Sequence, residues 1–397
     1  MRVQLFTSVP LVPPWDQGDK NLAYMLSRSL PGIQFEMLTT SYRSNPAGEN
    51  LMAHPVYRSR RPSLFEKAGV YAWLLTRSAA DSPDLYHLIY RPTMHSSLLF
   101  RLLPEFMRRP TIHTVPATAD SRLAHRSLFF ADHLIALSRY GKKRLLDLGL
   151  ERVAYIPTGI DPRPWRLLHG REAAYKARLG LSGNRVVLYP GHYGSGYGVD
   201  LILKALPGLA LEIPDLTLIF ACRIRSDRDL ERESDFKAQL ERLGLRSRVR
   251  FYRTVGDIKP LLGASDVVTL PLEKMRDKLD IPTTLLEALA AAKPIIISDL
   301  PPMNEILTTR YTGGKTLPGL LVTPGNVQDF QQSVVEILGN HTRRVGMGQA
   351  GVNLVRNNFH IQRVAAKYQN LYEQVSGVEA SNHLKRRTST LSSAAQE

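Results

Sequence analysis

Pro157-Thr158-Gly159-Ile160-Asp161-Pro162-Arg163-Pro164 divides this chain in two. Proline locks φ and has no N–H to give to a helix or a sheet ladder, so neither a helix interior nor a central strand runs through three prolines and a glycine in eight residues. The same pattern lies on both sides of the break. Before it, short β-branched runs at 3–7, 35–39, 85–90, 111–115, 133–137 and 153–156 alternate with helical periodicity at 21–30, 64–78, 122–130 and 139–148. After it comes a connecting segment, then runs at 186–189, 216–222, 249–252, 267–270, 295–298 and 320–323. Helical patterns lie between and after them at 199–209, 229–243, 283–292, 327–338, 343–357 and 361–375. Strands that alternate with helices form parallel βαβ units. The expected fold is α/β, with two Rossmann-like doubly wound domains and ligands in the crevice beyond the strand C-termini. The expected boundaries are 1–160 for an N-terminal domain, 161–184 for a linker, 185–360 for a C-terminal domain, 361–376 for a closing helix and 377–397 for a disordered tail rich in Ser, Thr and Ala.

Composition bounds the function. A chain of 397 residues that is 43% apolar can bury two cores. Cys222 is the only cysteine, so no internal disulfide or cysteine metal cluster forms, which suits a reducing cytosol. No apolar run is long enough to span a membrane, and the N-terminal MRVQLFTSVPLVPPWD lacks a small-residue cleavage site. These features predict a cytoplasmic protein. The net charge of +16 attracts anions of three kinds: nucleic acid, anionic lipid or a phosphorylated substrate. The basic groups are scattered and form no nucleic-acid module, so nucleic acid is not an expected partner. Peripheral contact with an anionic inner membrane face is compatible with the charge, although Lys385-Arg386-Arg387 alone is a weak anchor.

Four segments could carry chemistry. The loop Gly191-His192-Tyr193-Gly194-Ser195-Gly196-Tyr197-Gly198 follows a strand and opens a helix; its glycines admit close backbone approach, and a helix N-terminus favours an anion. It matches neither the dinucleotide fingerprint nor the P-loop, so a plain turn stands as the alternative. In Lys278-Leu279-Asp280-Ile281-Pro282-Thr283-Thr284-Leu285-Leu286-Glu287, a proline opens a helix whose free N–H groups at Thr283, Thr284 and Leu285 can hold a diphosphate. Glu287, near the second helical turn, can accept bonds from a vicinal diol such as ribose, and Lys278 can add positive charge. Alternatively, Asp280 caps the helix and Glu287 is a dipole-favoured surface residue. Arg223-Ile224-Arg225 ends a strand, where arginine can meet phosphate oxygens bidentately, or it is a solvated loop. Asp16, Gly18 and Lys20 lie in the loop after the first strand, where they could approach an acceptor or serve as cap and surface residues.

Other signals fail. Asp227-Arg228-Asp229 opens a charged helical stretch and reads as surface, and the histidines show no metal spacing, so no protein-held metal is expected. No G-x-S-x-G nucleophile elbow is present.

The ordered motifs 186–191, 198–200, 249–255, 266–271, 281–299, Glu305 and 323–326, with 156–161 at the break and 359–372 near the end, resemble the GT-B glycosyltransferases, especially the retaining family 4. The likeness covers about residues 1–376. It implies two domains facing a central cleft, C-terminal helices that cross back, a nucleoside diphosphate sugar as donor substrate on the C-terminal domain, and an acceptor mainly on the N-terminal one. Glu287 matches the second glutamate of the family's pair, whose role resembles the ribose contact. Pro282, Thr283, Thr284 and Leu285 match the backbone diphosphate cradle, and Arg253 and Val255 flank the backbone that reads the base. Departures are clear: the first glutamate falls on Leu279, the diphosphate-neutralising arginine and lysine fall on His192 and Tyr197, and the N-domain histidine falls on Pro116, with His113 nearby. The chain resembles a divergent branch with K-x-D-I-P before the glutamate; the expectation is that Lys278 and Asp280 replace part of the missing set here and Arg223 replaces the lost cations.

The expected activity is therefore transfer of a hexose-like sugar, metal-independent and retaining, to a hydroxyl on a glycan or lipid-linked acceptor, with no tightly bound cofactor. Charge stabilisation of the leaving diphosphate by helix N–H groups and cations is the core of the chemistry. Two alternatives compete. A catalytically lapsed sugar-nucleotide-binding scaffold would bind donor without turnover, and an epimerase on the same fold would release free epimerised sugar without any acceptor.

Overall fold

The computed structural model describes all residues except 14, 16, 41–47, 61, 77–81, 102–108, 276–277, 309–315 and 394–397, and gives only the backbone of residues 64, 67, 68, 75, 99, 121 and 378–393. The chain forms two units, Met1–Gly159 with Ile361–Glu397, and Ile160–His360. The chain thus leaves the first unit between Gly159 and Ile160 and returns to it after His360.

The first unit is built on seven parallel strands: β1 (Arg2–Thr7), β2 (Gln34–Thr40), β3 (Leu51–Tyr57), β4 (Leu85–Ile89), β5 (Thr111–Val115), β6 (His133–Ala136) and β7 (Val153–Tyr155), in the order β3-β2-β1-β4-β5-β6-β7. The second has six: β8 (Arg185–Tyr189), β9 (Leu216–Ala221), β10 (Val249–Tyr252), β11 (Val267–Leu270), β12 (Ile295–Ser298) and β13 (Gly319–Val322), in the order β10-β9-β8-β11-β12-β13. Each order reverses once, between β1 and β4 and between β8 and β11. Such reversal points leave a crevice beyond the strand C-termini.

The sequence makes these strands for one reason. A parallel strand covered by helices on both faces needs apolar side chains at nearly every position. Ile295, Ile296 and Ile297 in β12 are all fully buried, and so are Val267 and Val268 in β11. Each such side chain contributes roughly 1.5–3 kcal/mol through burial.

Two regions depart from expectation. β3 was not apparent from its sequence because Pro55 interrupts Leu51–Tyr57. Proline is tolerated there because β3 is the edge of the sheet, with one side free of ladder bonds. The helix expected over 122–130 is instead a pair of 3-10 turns, Ser121–Leu123 and Arg126–Leu128. A continuous helix would set Leu123 and Leu128 about 140° apart, yet both pack into one cluster with Val115, Phe129 and Leu134. The connecting segment also holds two short helices, Arg163–Arg166 and Glu172–Arg178. Helices Met94–Arg101 and Lys259–Ala264 lie where none was expected.

Near the end, the helical pattern at 343–357 resolves into helix His341–Leu354 followed by a π turn, Val355–Phe359. The final helix, Ile361–Ser393, belongs to the first unit, and the segment expected as a tail begins within its span. Tyr368 and Tyr372 of this helix are fully buried. The Tyr372 hydroxyl lies 2.7 Å from Nδ1 of His87, whose Nε2 lies 2.8 Å from the Thr114 hydroxyl. Burial, aided by His113, pushes His87 down to about 3, so this network works with a neutral imidazole.

Candidate active site

The loop after β8 lies at the reversal point of the second sheet. Tyr189, the last residue of β8, is fully buried. Its hydroxyl donates to the Tyr197 carbonyl at 2.6 Å and accepts from the His192 N–H at 3.3 Å, stapling the glycine-rich loop at both ends. Gly191 is needed because a Cβ there would sit 2.1 Å from the Tyr189 ring. Gly198 is needed twice: its φ is +91°, and a Cβ would lie 2.4 Å from the Pro271 carbonyl oxygen, beyond the end of β11. The Glu273 N–H donates to the Gly196 carbonyl at 2.9 Å. The two loops that flank the reversal point are therefore bonded to each other, and helix Val199–Glu212 starts where they meet.

Positive charge converges here. Burial lowers His192 to about 2, and Lys278, Arg225 and Arg223, in that order of effect, add to the shift. Nδ1 of His192 is buried and has no hydrogen-bond partner among the described residues. Burial, with the Arg225 guanidinium beside it, lowers Lys278 to about 8. The ammonium of Lys278 lies 4.9 Å from the centre of the Tyr197 ring. Lys278 and Arg225 repel one another in a partly dry site, and such a site favours an anion that screens them.

The segment Lys278–Glu287 carries this cluster into a helix. Pro282, at φ −60° and ψ 128°, is the residue before helix Thr283–Ala290 and caps it with no side chain. Asp280 is fully buried and is not the cap, contrary to one reading of the sequence. The Leu285 N–H bonds the Pro282 carbonyl at 3.0 Å, so the free helix end is carried by Thr283 and Thr284 rather than by all three residues. Glu287 retains partial solvent contact. Even so, burial pushes its carboxyl up to about 7 against the pull of Lys259, so it is not an ordinary surface residue.

The other expected site residues fall in different surroundings. The Tyr193 side chain turns inward, donating to Glu233 Oε2 at 3.1 Å, and a Cβ on Gly194 would strike the Tyr197 ring at 2.6 Å. Arg253 reaches Glu233 Oε1 at 3.2 Å, while Val255 is half-buried in the loop after β10. Burial works against the charge of Glu233, but hydrogen bonds from Lys237, Arg253 and Tyr193 hold it below the usual carboxylate range. In the first unit, Gly18 opens helix Gly18–Ser29, and Lys20 is buried with its ammonium 5.9 Å from the Trp15 ring. Asp16 lies outside the described residues. His113 is fully buried within β5 and donates through Nε2 to the Tyr90 carbonyl at 2.9 Å. Its burial lowers it to about 4, so the imidazole there is neutral. Asp229 accepts from the Arg225 and Ser226 N–H groups at 2.8 and 3.1 Å and closes the N-terminus of helix Asp227–Arg242, which explains the D-x-D string. Sequence reasoning gave too little weight to Arg225 and assigned no role to Tyr189 or Tyr197. The aromatic residues at both ends of the glycine loop were the available signal.

Among the described residues, no cluster of three or more His, Cys, Asp or Glu side chains could hold a metal, and no helix is long and apolar enough to cross a membrane. Residues 20–163 match the family model described as Glycosyltransferase Family 4, and residues 184–340 match Glycosyl transferases group 1. A spore coat protein of Bacillus subtilis is 26% identical over 50% of this chain and 51% of its own length, so the match spans about half of that relative. A lipopolysaccharide core biosynthesis mannosyltransferase of Rhizobium meliloti is 23% identical over 74% of this chain and 84% of its own. Among solved structures, a sucrose-phosphate synthase from Thermosynechococcus elongatus has a TM-score of 0.76 at 18% identity, covering 95% of this chain and all of that one. An Anabaena protein solved in complex with UDP-glucose has a TM-score of 0.73 at 16% identity, covering 94% of this chain and 99% of that one.

Proposed function

The chain is a GT-B glycosyltransferase with a Family 4 half and a group 1 half, and from that premise we propose that it moves a sugar from a nucleoside diphosphate to a hydroxyl on a glycan or lipid-linked acceptor. The observation that carries this reading is the convergence of Lys278, Arg225 and Arg223 on His192 at the reversal point of the second sheet. A diphosphate placed there meets those cations and the Thr283 and Thr284 N–H groups, and Glu287 lies one to two turns further along for the ribose hydroxyls.

The difficult step is separation of charge as the sugar becomes cation-like and diphosphate departs. Fixed cations and helix N–H groups stabilise the departing charge in advance, so the reading gives the metal-free route the leading part. Asp280 is closed off from solvent. The reading therefore passes the acceptor's proton to a donor phosphate oxygen and leaves Asp280 to shape the loop beside Lys278. Retention at the anomeric carbon is the outcome that the family resemblance supports, and the configuration of the product tests it. The acceptor belongs to the first unit, near Gly18 and Lys20. A relative in lipopolysaccharide core biosynthesis supports a cell-surface glycan or glycolipid as the product.

The deciding experiment is a thermal-shift panel of nucleoside diphosphates and nucleotide sugars, followed by turnover of a labelled form of the one that binds. Ligand that binds only the folded state raises its stability with occupancy. One base should stand out, and its labelled sugar should move to an acceptor. Stabilisation without transfer would leave a donor-binding scaffold, and no stabilisation by any nucleotide would end the donor reading.

A further inference from the structure

Lys278 is in an unfavourable place for an ammonium ion. It is largely removed from water, and the Arg225 guanidinium repels it. Arg223 and Arg225 also act on His192, the imidazole beside it. Among the described residues, a favourable contact of Lys278 is the Tyr197 ring, whose centre lies 4.9 Å from Nζ. The negative face of an aromatic ring attracts a cation, and more strongly where water is scarce.

The ring is held in that position from several sides. The Tyr197 carbonyl accepts from the buried Tyr189 hydroxyl at 2.6 Å, and its N–H reaches the Gly194 carbonyl at 3.3 Å. Gly194 leaves the space the ring fills, since any Cβ there would lie 2.6 Å from Cδ2 and Cε2 of Tyr197. The His192 ring meets it edge-on, with centroids 5.7 Å apart and planes at 79°. Other described charged or titratable groups around this corner include Asp280, Cys222 and Glu233, with Glu273 and Lys274 against Gly196. Asp280 and Cys222 are fully buried, and Glu233 is occupied by Tyr193, Lys237 and Arg253.

We propose that Tyr197 is a positioning residue for the donor diphosphate: its π face holds the Lys278 ammonium at the glycine loop, so that a site with several mutually repelling cations keeps this one in place for the ligand. The inference rests on the donor reading above. It assigns to the aromatic ring a task that a carboxylate could not perform there, because a carboxylate would neutralise Lys278 and repel the diphosphate.

The test uses the full chain with inorganic pyrophosphate as a probe that needs no knowledge of the base, alongside UDP-glucose. Tyr197 is replaced by Phe, by a series of increasingly fluorinated phenylalanines, and by Leu. Fluorination weakens the ring's negative face while scarcely changing its size. The Phe variant should bind pyrophosphate within about twofold of the parent, and affinity should fall stepwise to about tenfold weaker at the most fluorinated ring and in the Leu variant. In a Lys278→Met background the stepwise fall should vanish. Equal affinity across the fluorinated series, or the same fall with Met at 278, would overturn the proposal. If the parent binds neither pyrophosphate nor any nucleotide sugar, the donor reading fails and takes this inference with it. If it binds them with no dependence on the ring, only this inference fails.

Discussion

The two sheets reverse their strand order in the same way, yet they treat charge at that point differently. At the C-terminal ends of β4 and β5 in the first unit, Arg91 and Arg122 both bond Asp120, at 3.0 and 2.6 Å. Burial works to raise the Asp120 carboxyl, but Arg122 and then Arg91 hold it below its usual range. At the matching place in the second unit, the charges acting on His192 are all positive, and Lys278 rests on an aromatic ring. The common topology creates a crevice in both units. In the first, an acid balances two arginines; in the second, the charges acting on His192 share one sign.

The largest expected effect comes from the glycine that brings the two loops of the second unit together. Gly198→Ala must place a Cβ at φ +91° against the Pro271 carbonyl, and should cost about 3 kcal/mol or more in urea unfolding. Nucleotide-dependent stabilisation should disappear with it. A variant of parental stability would mean that the loop tolerates another path.

Lys278→Ala sharpens the contrast next. Donor affinity should fall about 10–100-fold, because a charge-assisted contact to the diphosphate is lost. In the parent, affinity should also weaken as pH rises through about 8, where burial and Arg225 have placed this ammonium. The variant should lose this weakening when followed by isothermal titration.

Glu287→Gln should act on stability with a defined sign. The folded carboxyl is raised above its ordinary value to about 7, so its ionisation opposes folding once pH passes the unfolded value, and fully so above about 7. The variant should be about 2 kcal/mol more stable than the parent near pH 8, with the gap closing toward pH 5. Donor binding in the parent should strengthen as pH rises through 7 and lose that rise in the variant. A stability gap that does not change with pH would contradict this account of the carboxyl's surroundings.

Asp120→Asn probes the balanced unit. Removing the carboxylate shared by two arginines should cost about 1 kcal/mol, since both guanidinium groups keep some solvent contact. Donor affinity measured by calorimetry should stay unchanged. Asp229→Ala, at the small end, should cost under about 1 kcal/mol as a lost helix cap, and should leave turnover and any metal dependence as they were.

Much of this was legible before any coordinates. The runs at 111–115, 249–252, 267–270 and 295–298 match their strands to the residue; all but 249–252, an edge strand with Arg250 exposed, are buried along their whole length, so no exposed position blurs their ends. β3 escaped because an edge strand can carry Pro55 and His54, which read as a loop. The 122–130 region misled because its apolar spacing suits a helix, while the core cluster beneath it demands that Leu123 and Leu128 point the same way. Within the site, the glycine loop and the Lys278–Glu287 segment could be read from residue types. Arg225 and Tyr197 could not be weighted, since their importance depends on loops far apart in sequence meeting at one sheet reversal.

The amino-acid order by itself therefore determined the alternation, the break at Pro157–Pro164, and the presence of a glycine loop after one strand and of a helix that starts after Pro282. Those features are written in short-range chemistry: proline's missing N–H, glycine's missing Cβ, and runs of branched apolar side chains. Only the tertiary structure decided how charge is arranged at Gly191–Gly198. Burial sets the state of His192, Lys278 and Glu287, with positive neighbours adding to it at the first two and Lys259 opposing it at the third, and all of this depends on segments far apart in the chain.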